Sequence, residues 1–283
     1  MPTLTPDNTC IVLDSTCDLP PSEFPPNWRH IPLRVRFGTE QLRDWVDITP
    51  DTFYRRLPGA PELPKTSQPS AGEFTELYAT LAHYERVYSI HLSGNVSGTV
   101  ESARLAASEH PNVTVVDTRF ASVVTTLVGR RVQEMLEGGT THQAVMEMCA
   151  QVPDRCGVCV YLDTVEYLVK GGRIGRAQGL VGSLLKVRPI IEMAGGEVTP
   201  RTRVRSRARG YTEFAAWLRD APAGGSLRLG TAVAAIADVR ADLAQLCREV
   251  RPDGDLQIQA DLGPVIGTYA GPGAMGLCYF AAP

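Results

Sequence analysis

The sequence reads as a two-domain α/β protein: an amino-terminal α/β domain built on a parallel sheet over residues 1–152, and a carboxy-terminal α/β domain of α+β character over residues 153–283. Three observations carry this reading. A chain of 283 residues with 43% apolar content is long enough to form two cores. Through the first half, short β-branched runs alternate with amphipathic stretches, the pattern of parallel strands joined by crossover helices. In the second half hairpin and helix signals mix, and Pro153 marks the boundary.

Residues 9–14 (TCIVLD) are a short apolar strand, and Asp14-Ser15-Thr16 turn the chain at its carboxyl end, where parallel sheets bind ligands. Residues 20–32 hold five prolines and read as a loop into a second strand, IPLRVRFG, whose alternation predicts one wet face. After an acidic stretch over residues 44–51, the helix TPDTFYRRL opens with a Thr or Asp cap. Pro64 and Pro69 hold Lys65-Thr66-Ser67-Gln68 extended, because proline restricts itself and the residue before it. Ser70 and Glu73 have the spacing of a capping box for the next helix.

The most informative stretch is VYSIHLSGNVSGT at 87–99, a β-branched strand that stops in a small-residue hydroxyl turn. A helix to about residue 109 follows, which Ser97 or Thr99 caps, so its free N–H groups face the loop and suit an anion. Strand VTVVDT at 113–118 comes next, then a helix from about 120 to 137, which Gly138-Gly139-Thr140 ends. Residues 141–149 form another amphipathic helix.

In the second half, CGVCVYL is a strand, TVEYLVK a helix and GGRIG a glycine-rich turn. Residues 190–193 and 198–205 read as strands joined through Ala-Gly-Gly. A helix at 211–219, a strand at 227–237, a helix at 238–250 and strands near 256–260 and 277–282 complete the chain.

Composition removes several function classes. The opening MPTLTPDNTC has no basic-then-apolar leader, and no apolar run approaches the roughly 20 residues of a membrane span, so a cytoplasmic protein is expected. Seven cysteines, an odd number, fit free thiols in a reducing compartment. Cys156-Gly-Val-Cys159 is formally a C-x-x-C, but its strand-like surroundings and the lack of a second pair favour core packing over metal or redox chemistry. A net charge of −3 gives no footprint for nucleic acid.

Gly271-Pro-Gly-Ala-Met-Gly276 satisfies G-x-G-x-x-G, yet a dinucleotide fingerprint also needs a preceding strand, a following helix and an acidic residue about 20 positions on. Those are missing before Pro283, and there is no phosphate-cradling G-x-x-x-x-G-K-[ST] either. Gly94-Asn-Val-Ser97-Gly98 places its serine one position late for a nucleophile elbow, and the histidines at 30, 83, 91, 110 and 142 show no partner pattern. A hydroxyl without a base is a poor nucleophile, so the hydroxyl turns read best as hydrogen-bond donors to a ligand.

Arg201, Arg203, Arg205, Arg207 and Arg209 alternate, so in an extended segment all five share one face. That face is a solvated edge, an anion site or a docking patch for an acidic partner. Arg173, within GGRIG, sits where glycines let the backbone come close to a ligand and the guanidinium reach into a cleft; as a plain loop arginine it would bind nearby carbonyls.

Taken in order, IVLDSTCDLP at 11–20, KTSQPS at 65–70, SGNVSGT at 93–99, VVDT at 115–118, YLVKGGRIGRAQGLVGSLLKVRPII at 167–191 and LGPVIGTYAGPGAMGL at 262–277 resemble the DegV family over nearly the whole chain. The resemblance implies a two-domain DegV-like fold with a long-chain fatty acid, such as palmitate, bound between the domains. Members look like non-catalytic carriers that present the acid's carboxylate to a separate fatty-acid kinase subunit, which makes acyl phosphate from ATP.

By motif matching, Thr66 and Ser93 would meet the carboxylate, with Ser67 and Gly94 close by. Arg173 and Arg205 match positions implicated in phosphoryl transfer or kinase docking. The family commonly has histidine in G-T-H-x-G-P-G where this chain has Tyr269, and a tyrosine donates a hydrogen bond without titrating near neutrality. The resemblance implies no cofactor beyond the bound acid, no metal, no nucleic acid and no membrane span, and a transient membrane contact is compatible with it.

Burying a methylene contributes about 0.8 kcal/mol, so a sixteen-carbon tail supplies on the order of 10 kcal/mol before ordering costs, against roughly 1.5–3 for one hydrogen bond to a charged group. The tail would set affinity and the hydroxyls orientation. Residues 179–185 (GLVGSLL), small among large, read as a tunnel wall or as ordinary core. Two other functions stay open at this level: a hydrolase or phosphotransfer enzyme using the hydroxyls at 66–67 and 93–97, and a regulatory anion-binding protein docking through the arginine face.

Overall fold

The computed structural model describes residues 3–180, 187–222 and 226–282. In chain order the first half runs β1 (Thr9–Asp14), β2 (Trp28–Ile31), β3 (Arg34–Phe37), β4 (Glu40–Arg43), α1 (Pro50–Arg56), β5 (Lys65–Ser67), α2 (Ala71–Thr80), β6 (Arg86–His91), α3 (Thr99–Ala107), β7 (Val113–Asp117), α4 (Val123–Glu137), α5 (His142–Ala150) and α6 (Val152–Arg155). The second runs β8 (Cys156–Tyr161), α7 (Glu166–Lys170), β9 (Arg188–Ala194), β10 (Glu197–Val204), α8 (Arg207–Arg219), β11 (Ser226–Val233), α9 (Arg240–Val250), β12 (Gly254–Asp261), α10 (Pro264–Ala270) and β13 (Met275–Ala282).

The fold is α/β, with a parallel sheet in the order β2-β1-β6-β7 and a second, mixed sheet in the order β10-β9-β8-β13-β11-β12. The two sheets face a shared central layer. Period-two alternation sends Cys10 and Val12 of β1 outward against Phe74 and Tyr78 of α2, while Ile11 and Leu13 turn inward. In the second sheet Cys159 and Tyr161 of β8 pack outward under Phe214 and Trp217 of α8, while Cys156 and Val158 turn inward. Between them lies α4, packed on β1 on one side and on β11 and β13 on the other. The buried Arg228 of β11 fixes it there, donating from Nε to Glu134 Oε1 at 3.0 Å.

Local sequence signals explain most element ends. Thr49 caps α1 by accepting from the Thr52 amide, and Pro50 occupies the first helical position. The Ser70–Glu73 capping box forms at the start of α2. The β9–β10 hairpin turns through Gly195 and Gly196, both with positive φ.

Several expectations change. Residues 20–32 are not all loop: Trp28–Ile31 is the edge strand of the parallel sheet, concealed by the prolines on either side. The strand within IPLRVRFG instead pairs antiparallel with β4 and β5 in a small separate sheet, and the KTS stretch between the prolines is itself a strand of that sheet.

The arginine series does not form one extended face. A bulge interrupts β10 between Pro200 and Thr202, and Ser206 caps α8, so Arg207 and Arg209 are helical. Arg201 pairs with Glu192 and Arg207 with Asp238. Of the GLVGSLL stretch, Gly179 and Leu180 belong to a short 3-10 turn, and residues 181–185 lie outside the described residues.

Candidate functional site

A cavity of about 180 Å³ occupies the central layer, room for about twelve to eighteen water-sized groups at about 10–15 Å³ each. Leu92, Val96 and Val123 from the first half and Val158, Ile191 and Leu262 from the second contribute to its walls. These walls are apolar because the inward residues of both sheets end there without meeting each other. Ala232, Gly276 and Cys278 leave room where larger side chains would close the gap.

The polar residues of the cavity converge from separate elements. Thr66 and Ser67 come from β5, with Gln68 just after it; Ser97 comes from the turn before α3, Ser122 from just before α4, Arg173 from the turn after α7, Glu192 from β9, where it pairs with Arg201, and Tyr269 from α10. The Thr66 and Tyr269 hydroxyls are hydrogen-bonded to each other. The Arg173 guanidinium lies over the Tyr269 ring, 5.2 Å from its centroid, while Nη1 donates to the Gly171 carbonyl at 3.0 Å and Nε to that of Val96 at 3.3 Å. Gly171 is required here, since a Cβ would stand 2.5 Å from the Tyr269 ring. Thr66, Arg173 and Tyr269 also border a second, more open basin of about 740 Å³, to which Lys65 and Lys170 contribute cations and Glu62 an anion.

The expected site residues divide by position. Thr66, Ser67, Arg173 and Tyr269 come together at the cavity. Ser93 is fully buried beside it, between the wall residues Leu92 and Val96; its hydroxyl donates to the Gly196 carbonyl at 2.7 Å and accepts from the Asn95 amide at 3.2 Å. Gly94 is exposed, and its amide donates to the Asp117 carboxylate. Arg205 is exposed beyond the end of β10 and is not part of the cavity lining.

The hydroxyl turn is held from below by a buried relay. Asp14, at the carboxyl end of β1, accepts from the Leu92 amide and pairs with His91 Nδ1, each at 3.0 Å. His91 Nε2 meets Ser89 at 2.6 Å, and Tyr78 donates to Ser89 at 2.8 Å. Burial raises the Asp14 carboxyl, but hydrogen bonds from His91, Thr16 and Leu92 outweigh it and hold it below the usual carboxylate value. His91 thus has the acid partner that its place in the sequence conceals. Asp14, His91 and Ser89 are all fully buried and bonded to one another, so this relay braces two strand ends.

A second buried group sits where α10 begins. Asp18 accepts from the Gly263 amide at 2.8 Å and from the Ser122 hydroxyl, and burial pushes its carboxyl up to about 7 against those two bonds. Burial likewise raises the carboxyl of Asp44 well above its ordinary value.

The two cysteines of the C-x-x-C point to opposite faces of β8, as three-residue spacing on a strand requires, so they cannot chelate together. Burial pushes both thiols up.

Neither Gln68, at the site, nor α10, which delivers Tyr269, is marked by periodicity. A Pro at the first helical turn and Gly271 just after the end were the available signals for α10.

Among known proteins, the profile of a family of uncharacterised proteins, the DegV family, matches residues 8–282. A fatty acid-binding protein of Thermotoga maritima is 34% identical over 282 residues, covering 94% of this chain and 95% of that protein. A DegV family protein of Thermus thermophilus, whose solved structure is described by its fatty acid binding, is similar with a TM-score of 0.90 and 33% identity, over 97% of this chain and 99% of its own. The fold alone is shared with the B3 protein of the Streptococcus pneumoniae fatty acid kinase, solved loaded with linoleic acid, at a TM-score of 0.86 and 21% identity over 97% and 99% of the two chains.

Proposed function

This chain belongs to the DegV family, and on that premise we propose that it is a carrier of one long-chain fatty acid, held in the central cavity with its carboxylate at Thr66. The observation that carries the reading is an apolar cavity whose polar residues are mostly neutral: the hydroxyls of Thr66, Ser67, Ser97, Ser122 and Tyr269 and the amide of Gln68. Among the described residues they are joined by one cation, Arg173, while the one carboxylate, Glu192, is paired with Arg201. That pairing suits an amphiphile with a long apolar tail and a small anionic head. A sixteen-carbon tail supplies on the order of 10 kcal/mol gross, and Thr66, Ser67, Tyr269 and Arg173 orient the head. Ser93 joins them if its proton is released from Gly196.

Within this proposal, residues 1–152 form the domain that supplies the hydroxyl loops and residues 153–283 the one that supplies most of the acyl wall. The head lies next to the basin bordered by Lys65 and Lys170, which favours its presentation to a separate kinase for acyl-phosphate formation, with Arg173 and Arg205 as docking or phosphoryl-transfer residues. Catalysis then belongs to that partner. The hydroxyls of Thr66, Ser93 and Ser97 have other hydroxyls or a carbonyl as acceptors, poor bases for activating a nucleophile, whereas Ser122 donates to the buried Asp18. A cytoplasmic setting accords with seven unpaired, buried cysteines.

Mass spectrometry of the purified, denatured protein tests the reading: it should release a long-chain acid in near-stoichiometric amount, and the delipidated protein should take up palmitate. Thr66→Ala should weaken that uptake about ten- to a hundredfold, the loss of one hydrogen bond to a charged group. Absence of acid from several preparations, together with no uptake, would refute it.

A further inference from the structure

The β9–β10 hairpin forms one wall of the cavity through Ile191, Met193 and Val198, and among the described residues β10 is the outermost strand of its sheet, flanked by the 3-10 turn at 175–180. Its tip crosses to the other half of the molecule. There Asn95 Nδ2 donates to the Gly195 carbonyl at 2.9 Å and Ser93 Oγ donates to the Gly196 carbonyl at 2.7 Å. The fit is close: Gly196 has φ +86°, and a Cβ on it would lie 2.8 Å from both Asn95 Nδ2 and Ser93 Oγ. Two side chains of the hydroxyl turn therefore clasp the tip of a wall that belongs to the second sheet.

We propose that this clasp is a ligand-operated latch, in which a carboxylate arriving at Ser93 accepts its hydrogen bond in place of the Gly196 carbonyl and frees the hairpin tip. The inference rests on the fatty-acid reading above. A serine hydroxyl has one proton, and here Gly196 has it, so Ser93 cannot donate to Gly196 and to a carboxylate together. A charge-assisted hydrogen bond is roughly twice as strong as a neutral one, which decides the competition for the carboxylate. Gly196 then loses its side-chain partner, Asn95 remains the tip's side-chain bond to the hydroxyl turn, and the wall carrying Met193 and Val198 loosens at its outer end, with the Arg176–Glu197 pair still holding the first residue of β10. Occupancy of the cavity is thereby written onto the surface as mobility of residues 194–198, where a second macromolecule can read it.

Hydrogen exchange measured by mass spectrometry on the delipidated full chain, with and without palmitate, tests the latch. Palmitate should slow exchange in the wall strands, residues 156–161 and 188–193, while speeding it at 194–198 by about two- to tenfold, the range for losing one neutral hydrogen bond. Ser93→Ala should speed exchange at 194–198 by a similar factor without palmitate and leave palmitate nothing to add there. Asn95→Ala should speed it with and without palmitate, which keeps the test alive if the serine variant does not fold. Slowed wall strands with an unchanged or slowed tip would overturn the latch and leave the fatty-acid reading standing. No slowing anywhere would overturn both.

Discussion

Asp18 shows how a single buried side chain ties the ligand-binding region to the rest of the fold. It joins the turn after β1 to Gly263, the residue before α10, and so helps fix the helix that brings Tyr269 to Thr66. Its carboxyl titrates at about 7 when folded, against about 3.9 when unfolded. Between those values the folded protein holds a proton that the unfolded chain has lost, so this group's contribution is complete below about pH 4 and falls away as pH rises through 7. Asp44 acts in the same direction. Asp18→Asn retains an acceptor for the Gly263 amide and removes the charge; urea midpoints between pH 5 and 8 should fall with pH in the parent and fall less in the variant. An unchanged slope would show that other groups govern it.

At this scale the sequence is legible where chemistry is local. Thr66, Ser67 and Arg173 stand out from their turns, whereas the partners they acquire, such as Tyr269 at a separation of 203 residues, do not. His91 illustrates the limit. Nothing near it in sequence reveals Asp14, which parallel pairing of β1 and β6 brings alongside.

Among the elements, the β9–β10 hairpin is legible because Gly-Gly between two β-branched runs specifies a tight turn. Its reach across to Ser93 and Asn95 is not, since that depends on how two sheets are stacked. The two glycines are not equivalent: a Cβ at Gly195 meets open space, whereas one at Gly196 meets the clasp. Gly196→Ala should therefore cost about 1–3 kcal/mol in urea unfolding, from strain at positive φ together with crowding, and Gly195→Ala should cost less. Equal losses would mean that φ alone decides.

Short elements account for the other misreadings. Trp28–Ile31 has four residues among prolines and α10 has seven, too few for periodicity to register. Propensity also misleads at Arg207 and Arg209, where strand-like alternation continues into a helix that Ser206 caps.

For the molecule as a whole, two sheets share one central layer, and α4 fills only part of it. The remaining space is the cavity, lined by residues of both halves. Alternation of strand and helix announces the parallel sheet and the mixed half that follows, but a gap between two sheets leaves no mark on either strand pattern. The inward residues that line it, Val158 or Ile191, look the same as core residues that meet a partner. The decisive measurement is a crystal structure of the delipidated chain soaked with palmitate. The account predicts the acyl chain along the central layer, in contact with Val158, Ile191 and Leu262, and the carboxylate within hydrogen-bond distance of Thr66. An acyl chain bound elsewhere, or a carboxylate at the opposite end of the cavity from Thr66, would contradict it.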